Sequence, residues 1–327
     1  MLEITASSVR QWSRIGSRGV YGLAISDLAE REKNLIAMSA DLGNSSGLDR
    51  FKAAHPDRFV NVGIAEQNLI GMAAGIAKEG FIVFASSFAP FISMRAAEQV
   101  RMNLGYMRLN VKAVAIGSGL SMGFLGNSHF GLEDAAVIRA IPGIVIITPA
   151  DCAEIIKAVN ALTHYSGPAY LRLTGGVNNP IVNSSDYDFE IGKSIKVKAG
   201  DEVTIFSCGT MVYESLEAAK VLEGRGVSVE VINMHTLRPL DVEAIRCPIK
   251  SHKLIVTVEE HSVIGGLGSA VAEQVAQFGN SPPLIMLGIP DDFGPTADYR
   301  FLLERYGLVS EKISEKIYEK VIQLRKK

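Results

Sequence analysis

Through the first half of the chain, apolar residues fall in short continuous runs rather than in strict alternation, at residues 34–40, 58–62, 81–85, 111–116, 144–148 and 169–173. Runs of that length fit strands covered on both faces, and such strands belong to parallel sheets. Helical stretches lie between them at about 18–32, 66–78, 90–105, 131–140 and 151–163, the last opening on the capping sequence Pro149-Ala150-Asp151. The pattern is a β/α array. It breaks at Thr174-Gly175-Gly176-Val177-Asn178-Asn179-Pro180 and stays polar through Asn183-Ser184-Ser185-Asp186, with the turn chemistry of a linker. Beyond the break come strands at 203–207, 227–232, 253–258 and 283–288, helices at about 211–223 and 266–278, and a charged amphipathic helix at about 310–325. The expected fold is α/β in two domains: a parallel-sheet domain over 1–185 and a smaller α/β domain over 186–327.

Composition narrows the function. A chain of 327 residues with a hydrophobic fraction of 47% suits two cores rather than one. Lys+Arg number 33 against Asp+Glu 35, and no long run of either sign occurs, so no basic footprint for nucleic acid or an anionic membrane is present. Small partners, neutral or singly charged, fit better. Cys152, Cys208 and Cys247 are far apart and odd in number, in no metal-ligand spacing, which reads as core cysteines in a reducing compartment. Residues 1–16 hold no apolar signal core, and no window supplies the roughly 18 apolar residues of a spanning helix. A soluble cytoplasmic protein is expected.

The candidate chemistry centres on Val62-Gly63-Ile64-Ala65-Glu66-Gln67-Asn68, a glycine turn that delivers a carboxylate to the start of an apolar helix. A glutamate there is stabilised by the free N–H groups of the helix start and can be a plain cap. The helix that follows is small and apolar enough to be buried, which would set Glu66 at a deep edge. The next βα turn, Phe84-Ala85-Ser86-Ser87-Phe88-Ala89-Pro90-Phe91, lies at the same end of a parallel sheet, where ligands bind. Phe88 and Phe91, spaced i, i+3 at a helix start, can face one side and pair with the acid to form a slot for a flat heteroaromatic ring. Core packing is the alternative for both rings. Gly117-Ser118-Gly119-Leu120-Ser121-Met122-Gly123 has the wrong spacing for a dinucleotide loop. Gly265-Gly266-Leu267-Gly268 suits close helix–sheet packing, and His235 and His261 read as satisfied turn residues.

Gly63 to Asn68, Ser87-Phe88-Ala89-Pro90-Phe91, Ser128-His129, Ile141-Pro142-Gly143, Ile147-Thr148-Pro149-Ala150-Asp151 and Val258-Glu259-Glu260-His261 together resemble the thiamine diphosphate enzymes of the transketolase family. The resemblance runs from about residue 15 to the end and covers that family's pyrimidine-binding and C-terminal domains. It implies that Glu66 hydrogen-bonds the cofactor's pyrimidine N1′, favouring the tautomer that takes a proton from the thiazolium carbon, and that Phe88 and Phe91 stack on the ring. By the same resemblance Asp41 lies at the cofactor, and His129 hydrogen-bonds the oxygens of the transferred group. Arg18, Ser45 and Arg172 match substrate-phosphate contacts. The family's Gly-Asp-Gly motif with its downstream Asn, which holds Mg²⁺ and the diphosphate, does not occur; Gly200-Asp201-Glu202 is the nearest sequence. The resemblance therefore implies one subunit of a split transketolase, with Mg²⁺ or a similar ion held by an N-terminal-half partner in an α2β2 assembly, acting on sugar phosphates.

Two positions depart from the pattern. Leu125 stands where transketolases carry an acid that recognises a sugar hydroxyl, and Gly117 replaces an expected histidine. An apolar side chain cannot accept that hydroxyl's hydrogen bond, so the resemblance carries the reaction class further than the particular ketose and aldose phosphates. A thiamine enzyme of the 1-deoxyxylulose-5-phosphate synthase or 2-oxo acid dehydrogenase β type, and a non-catalytic stabilising subunit, are the rival readings.

Overall fold

The computed structural model describes residues 2–326 and contains two sheets. In the first half the strands are β1 (Leu35–Ser39), β2 (Phe59–Asn61), β3 (Ile82–Phe88), β4 (Val111–Ile116), β5 (Val145–Ile147) and β6 (Ala169–Arg172). The second half adds β7 (Ile195–Lys198), β8 (Val203–Ser207), β9 (Val229–Asn233), β10 (Thr236–Arg238), β11 (Leu254–Ser262) and β12 (Leu284–Ile289). The first sheet has the order β10-β5-β6-β4-β3-β1-β2, parallel except for β10. The second has the order β12-β11-β8-β9-β7, parallel except for β7. Two α/β units with mostly parallel sheets are what the continuous apolar runs require, since β1, β4, β5, β6, β8 and β9 are buried at every residue.

Several elements differ from expectation. Thr236–Arg238 lies beyond the linker in sequence yet pairs with β5, so the second half lends an edge strand to the first sheet. The stretch expected as one helix at 90–105 is broken into π-helical Phe91–Arg95, a short turn Ala97–Gln99 and π-helical Val100–Tyr106. β3 runs on to Phe88, so Phe88 ends a strand instead of opening a helix. The helices Ala6–Ile15, Asp49–Ala54, Val242–Ser251 and Tyr299–Tyr306 are additional.

The helix Glu66–Lys78 is buried on one face only. Leu69, Ile70, Ala73, Ala74 and Ala77 pack into the core, while Gln67, Asn68, Gly71, Met72 and Gly75 are exposed. Of the cysteines, Cys152 and Cys208 are buried but Cys247 is exposed, which corrects the expectation of three core residues. Among the described residues no helix is long and apolar enough to cross a membrane.

Candidate functional site

Parallel pairing aligns the carboxyl ends of β1, β2, β3 and β4, and the chain places Asp41, Glu66, Phe88 and Gly117 just beyond or at those four ends. The turn after β2 needs Gly63, whose φ of +75° a side chain tolerates poorly. Glu66 then opens its helix with the carboxylate only 2% exposed.

That carboxylate has two partners. Arg95 Nη1 donates to Oε2 at 2.8 Å, and the Ser87 hydroxyl reaches Oε1 at 3.4 Å. The Arg95 guanidinium lies over the Phe91 ring, 4.1 Å from its centre. A π turn places it there: Ala96 N donates to the carbonyl of Phe91, five residues back, and this wider turn brings residue i+4 nearly above residue i.

Phe88, Phe91 and His129 form one aromatic cluster. Phe88 and Phe91 meet edge to face with centroids 6.1 Å apart, and the His129 ring stands 5.4 Å from the first and 5.2 Å from the second. The two phenylalanines are thus not parallel walls facing one way. The open aromatic face is that of Phe91, and Arg95 covers it. His129 is half-buried, with Nδ1 3.0 Å from the Ser128 hydroxyl. Burial, and secondly the charge of Arg95, push its pKa below the ordinary 6.5. An NMR titration of the chain is therefore expected to give an imidazole midpoint under 6.5 that rises in Arg95→Met; a midpoint unmoved by that change would separate the two side chains.

Gly117 explains its own identity. Its φ is +66°, and an added Cβ would stand 2.7 Å from Met122 Cγ and 3.2 Å from Phe88 Cδ1, so a histidine does not fit this loop as folded. Leu125, in the loop that leads to His129, is 40% exposed, and its neighbour Phe124 is 65% exposed. The loop rim is apolar where an acid was the expected type.

Among the predicted phosphate contacts, Arg18 and Ser45 come together. Arg18 Nη1 donates to the Ser45 carbonyl at 3.3 Å, both residues are half-buried, and burial lowers the arginine's pKa. Asp41 is exposed in a left-handed turn at φ 58°, where Asn61 both accepts from its backbone N–H at 2.9 Å and donates to its carboxylate at 3.0 Å.

Arg172 is corrected. It is 2% exposed, its Nε lies 3.0 Å from both oxygens of Asp134, and its Nη2 donates to the carbonyls of Gly131 at 2.7 Å and Glu260 at 2.8 Å. With Nε and Nη2 so committed and the side chain 2% exposed, the guanidinium ties β6 to β11, and its Nε–Nη2 fork is already taken. Glu260 completes the tie, accepting from Leu120 N, Thr210 and Tyr299 while burial raises its pKa.

The glycine-led helix start after β11 is already capped: Glu259 accepts from Leu267 N and Gly268 N at 2.7 Å each, and an added Cβ on Gly266 would fall 2.1 Å from Glu259 Oε2. Its carboxylate takes the place an external phosphate would use, and burial pushes its pKa up to about 7. His261 is satisfied, with Nδ1 2.7 Å from the Ser262 carbonyl and Nε2 accepting from Ala136 N at 3.3 Å. His235 is only partly so: it stacks on Phe189 at 4.3 Å and Nδ1 meets Thr236, but Nε2 has no partner. Among the described residues no group of three or more His, Cys, Asp or Glu is placed to hold a metal ion.

Sequence reasoning passed over Arg95. Its i, i+4 spacing from Phe91 was the available signal, hidden because the wide turn that stacks the pair is not legible from periodicity.

The buried acid at a βα turn, the aromatic cluster beside it and the second parallel sheet define a class, and the chain belongs to the transketolase family. Residues 13–177 match the transketolase pyrimidine-binding domain and residues 192–313 the transketolase C-terminal domain. The chain is 42% identical over 307 residues to a putative transketolase C-terminal section of Methanocaldococcus jannaschii, covering 94% of this chain and 96% of that one. It is 37% identical over 305 residues to a 6-deoxy-6-sulfo-D-fructose transketolase subunit of a Clostridium species, covering 92% and 93%. A solved structure described as a split gene transketolase, inactive beta4 tetramer, superimposes with a TM-score of 0.84 at 39% identity, covering 93% of this chain and 97% of that one.

Proposed function

We propose that this chain is the pyrimidine-binding subunit of a two-subunit transketolase that moves a two-carbon ketol unit from a ketose phosphate to an aldose acceptor. The observation that carries this reading is the Glu66 carboxylate, 2% exposed and set beside the face of Phe91, with a flat donor group already bridging the two. Those contacts suit the aminopyrimidine half of thiamine diphosphate. They do not suit its diphosphate, for which an Mg²⁺ site on an N-terminal-half partner is required.

Thiamine diphosphate, when bound, supplies the carbon nucleophile that accepts and releases the transferred unit. In this chain Glu66 holds a proton at the pyrimidine nitrogen and Phe91 orients the ring, with Phe88 backing the cluster. His129, whose imidazole burial and the Arg95 charge bias toward the neutral form, is suited to hydrogen-bond a substrate carbonyl or hydroxyl oxygen. Arg18 and Ser45 are the proposed contacts to the substrate phosphate, and Asp41 lines the cofactor edge. Arg172 is left out of that set. The 1–185 unit would carry the site and 186–327 would brace it.

Assembly has its own support. The exposed face of the helix behind Glu66 presents Gly71, Met72 and Gly75, open around both glycines, and the turn before it exposes Ile64 at 78%. A backbone bared by two glycines permits close approach of another chain, consistent with an α2β2 assembly.

The apolar rim at Phe124 and Leu125 favours one second reading, a donor that presents fewer hydroxyls there. Mixing the chain with a partner that carries Gly-Asp-Gly, and offering ketose phosphate or pyruvate with an aldose acceptor, is expected to consume the ketose phosphate. Consumption of pyruvate alone would move the assignment to ketol synthesis from 2-oxo acids.

A further inference from the structure

Arg95 makes both contacts of the slot assigned to the pyrimidine. Its Nη1 holds Glu66 Oε2 at 2.8 Å, and its guanidinium carbon lies 4.1 Å from the centre of the Phe91 ring. An aromatic ring that uses the same carboxylate and the same ring face cannot be seated while the guanidinium is there. We propose that Arg95 is an internal occupant of the pyrimidine slot, displaced when the ring enters, and so a positioning residue that sets how tightly this chain holds the cofactor's pyrimidine half. The proposal rests on the reading of Glu66 given above.

Three features of the contact fit an occupant that leaves. The Arg95 side chain is 48% exposed against 2% for Glu66, so the cation can swing into water while the carboxylate stays. Among the described residues, Glu66 is the one hydrogen-bonding partner shown for the guanidinium. Arg95 also sits at a joint, the last residue of the π turn before Ala96 departs from helical geometry at φ −100° and ψ 18°.

There is a physical reason to keep an occupant. A carboxylate this deep is costly without a partner, and a buried charge stripped of its counter-ion destabilises the fold. Arg95 supplies a donor and a cover for Phe91 until another flat group takes both places. The exchange lowers apparent affinity, because only molecules with the arginine swung out can accept the ring. The neighbouring His129, whose pKa Arg95 helps to lower, loses that nearby charge when the arginine leaves.

The test titrates thiamine, which carries the pyrimidine without the diphosphate, by calorimetry into the chain assembled with its Gly-Asp-Gly partner. Arg95→Met keeps an aliphatic stem over Phe91 and removes the donors; it is expected to bind thiamine at least about tenfold tighter than the wild-type chain. Equal or weaker binding, in a variant that circular dichroism shows to be folded at the assay temperature, overturns the proposal and makes Arg95 part of the ring's own seat. Arg95→Lys guards against a misfolded variant: it keeps the charge beside Glu66 without the flat stacking group. It is expected to fall between the other two, and wild-type affinity in a folded Arg95→Lys also counts against displacement. If none of the assembled pairs binds thiamine, the reading of Glu66 as pyrimidine partner fails and the proposal with it. Equal binding by all three sinks the role of Arg95 alone.

Discussion

Glu66→Gln lowers the turnover of the assembled complex by about 10²- to 10⁴-fold, the range lost with a positioned proton-transfer group, while leaving the fold and the association of subunits intact. Glutamine keeps the volume and one acceptor oxygen at a residue 2% exposed, so packing at the start of Glu66–Lys78 is preserved. What it loses is the ability to share a proton with the ring nitrogen. Arg95 would then face an amide instead of a carboxylate, and its contact with Phe91 at 4.1 Å loses an anchor. Turnover assayed alongside subunit association separates the outcomes. Near-normal turnover excludes the proton-sharing role, and loss of association would mark Glu66 as structural. A non-catalytic stabilising subunit predicts the second pattern.

Arg172→Met has a comparably large effect on a different quantity. Its partner Asp134 is 0% exposed and would remain as a buried carboxylate with the Tyr170 hydroxyl at 2.9 Å and, farther off, His261 Nε2 at 3.9 Å. Breaking a buried pair in this way costs about 3–5 kcal/mol. The carbonyls of Gly131 and Glu260 also lose the Arg172 donor, Gly131 keeping only Gly119 N at 2.9 Å, so the link between the two sheets is weakened at one point. Denaturant unfolding is expected to show the loss, and Arg172→Met with Asp134→Asn should recover part of it. A phosphate-binding arginine would behave otherwise, leaving stability unchanged and raising KM for phosphorylated donors.

The sequence revealed the sheets better than their borders. Val111–Ile116, Val203–Ser207, Met211–Glu223 and Glu66–Lys78 coincide with their expected ranges because each is specified by its own apolar pattern. Thr236–Arg238 is three residues long and owes its existence to Ile146 and Ile147 on β5, a partner no local pattern announces. Val242–Ser251 contains Pro248, which argues against a helix locally and was overridden by packing of Ile245 and Ile249. At the site, the Gly63–Glu66 turn and the two phenylalanines were legible as a constellation. The geometry between Phe88 and Phe91 was not, since one ends a strand and the other opens a π turn. Arg172 was misplaced for a related reason: a position along the chain says nothing of Asp134, which lies 38 residues earlier and meets it only in the fold.

The most direct measurement is a titration of thiamine diphosphate with Mg²⁺ into four samples: this chain, its Gly-Asp-Gly partner, the two together, and the pair with Glu66→Gln. Tight binding should appear only in the wild-type pair and fall sharply with Glu66→Gln. Equal affinity in the wild-type and Glu66→Gln pairs, or binding by this chain alone as tight as by the pair, would contradict a cofactor site that two chains complete around Glu66.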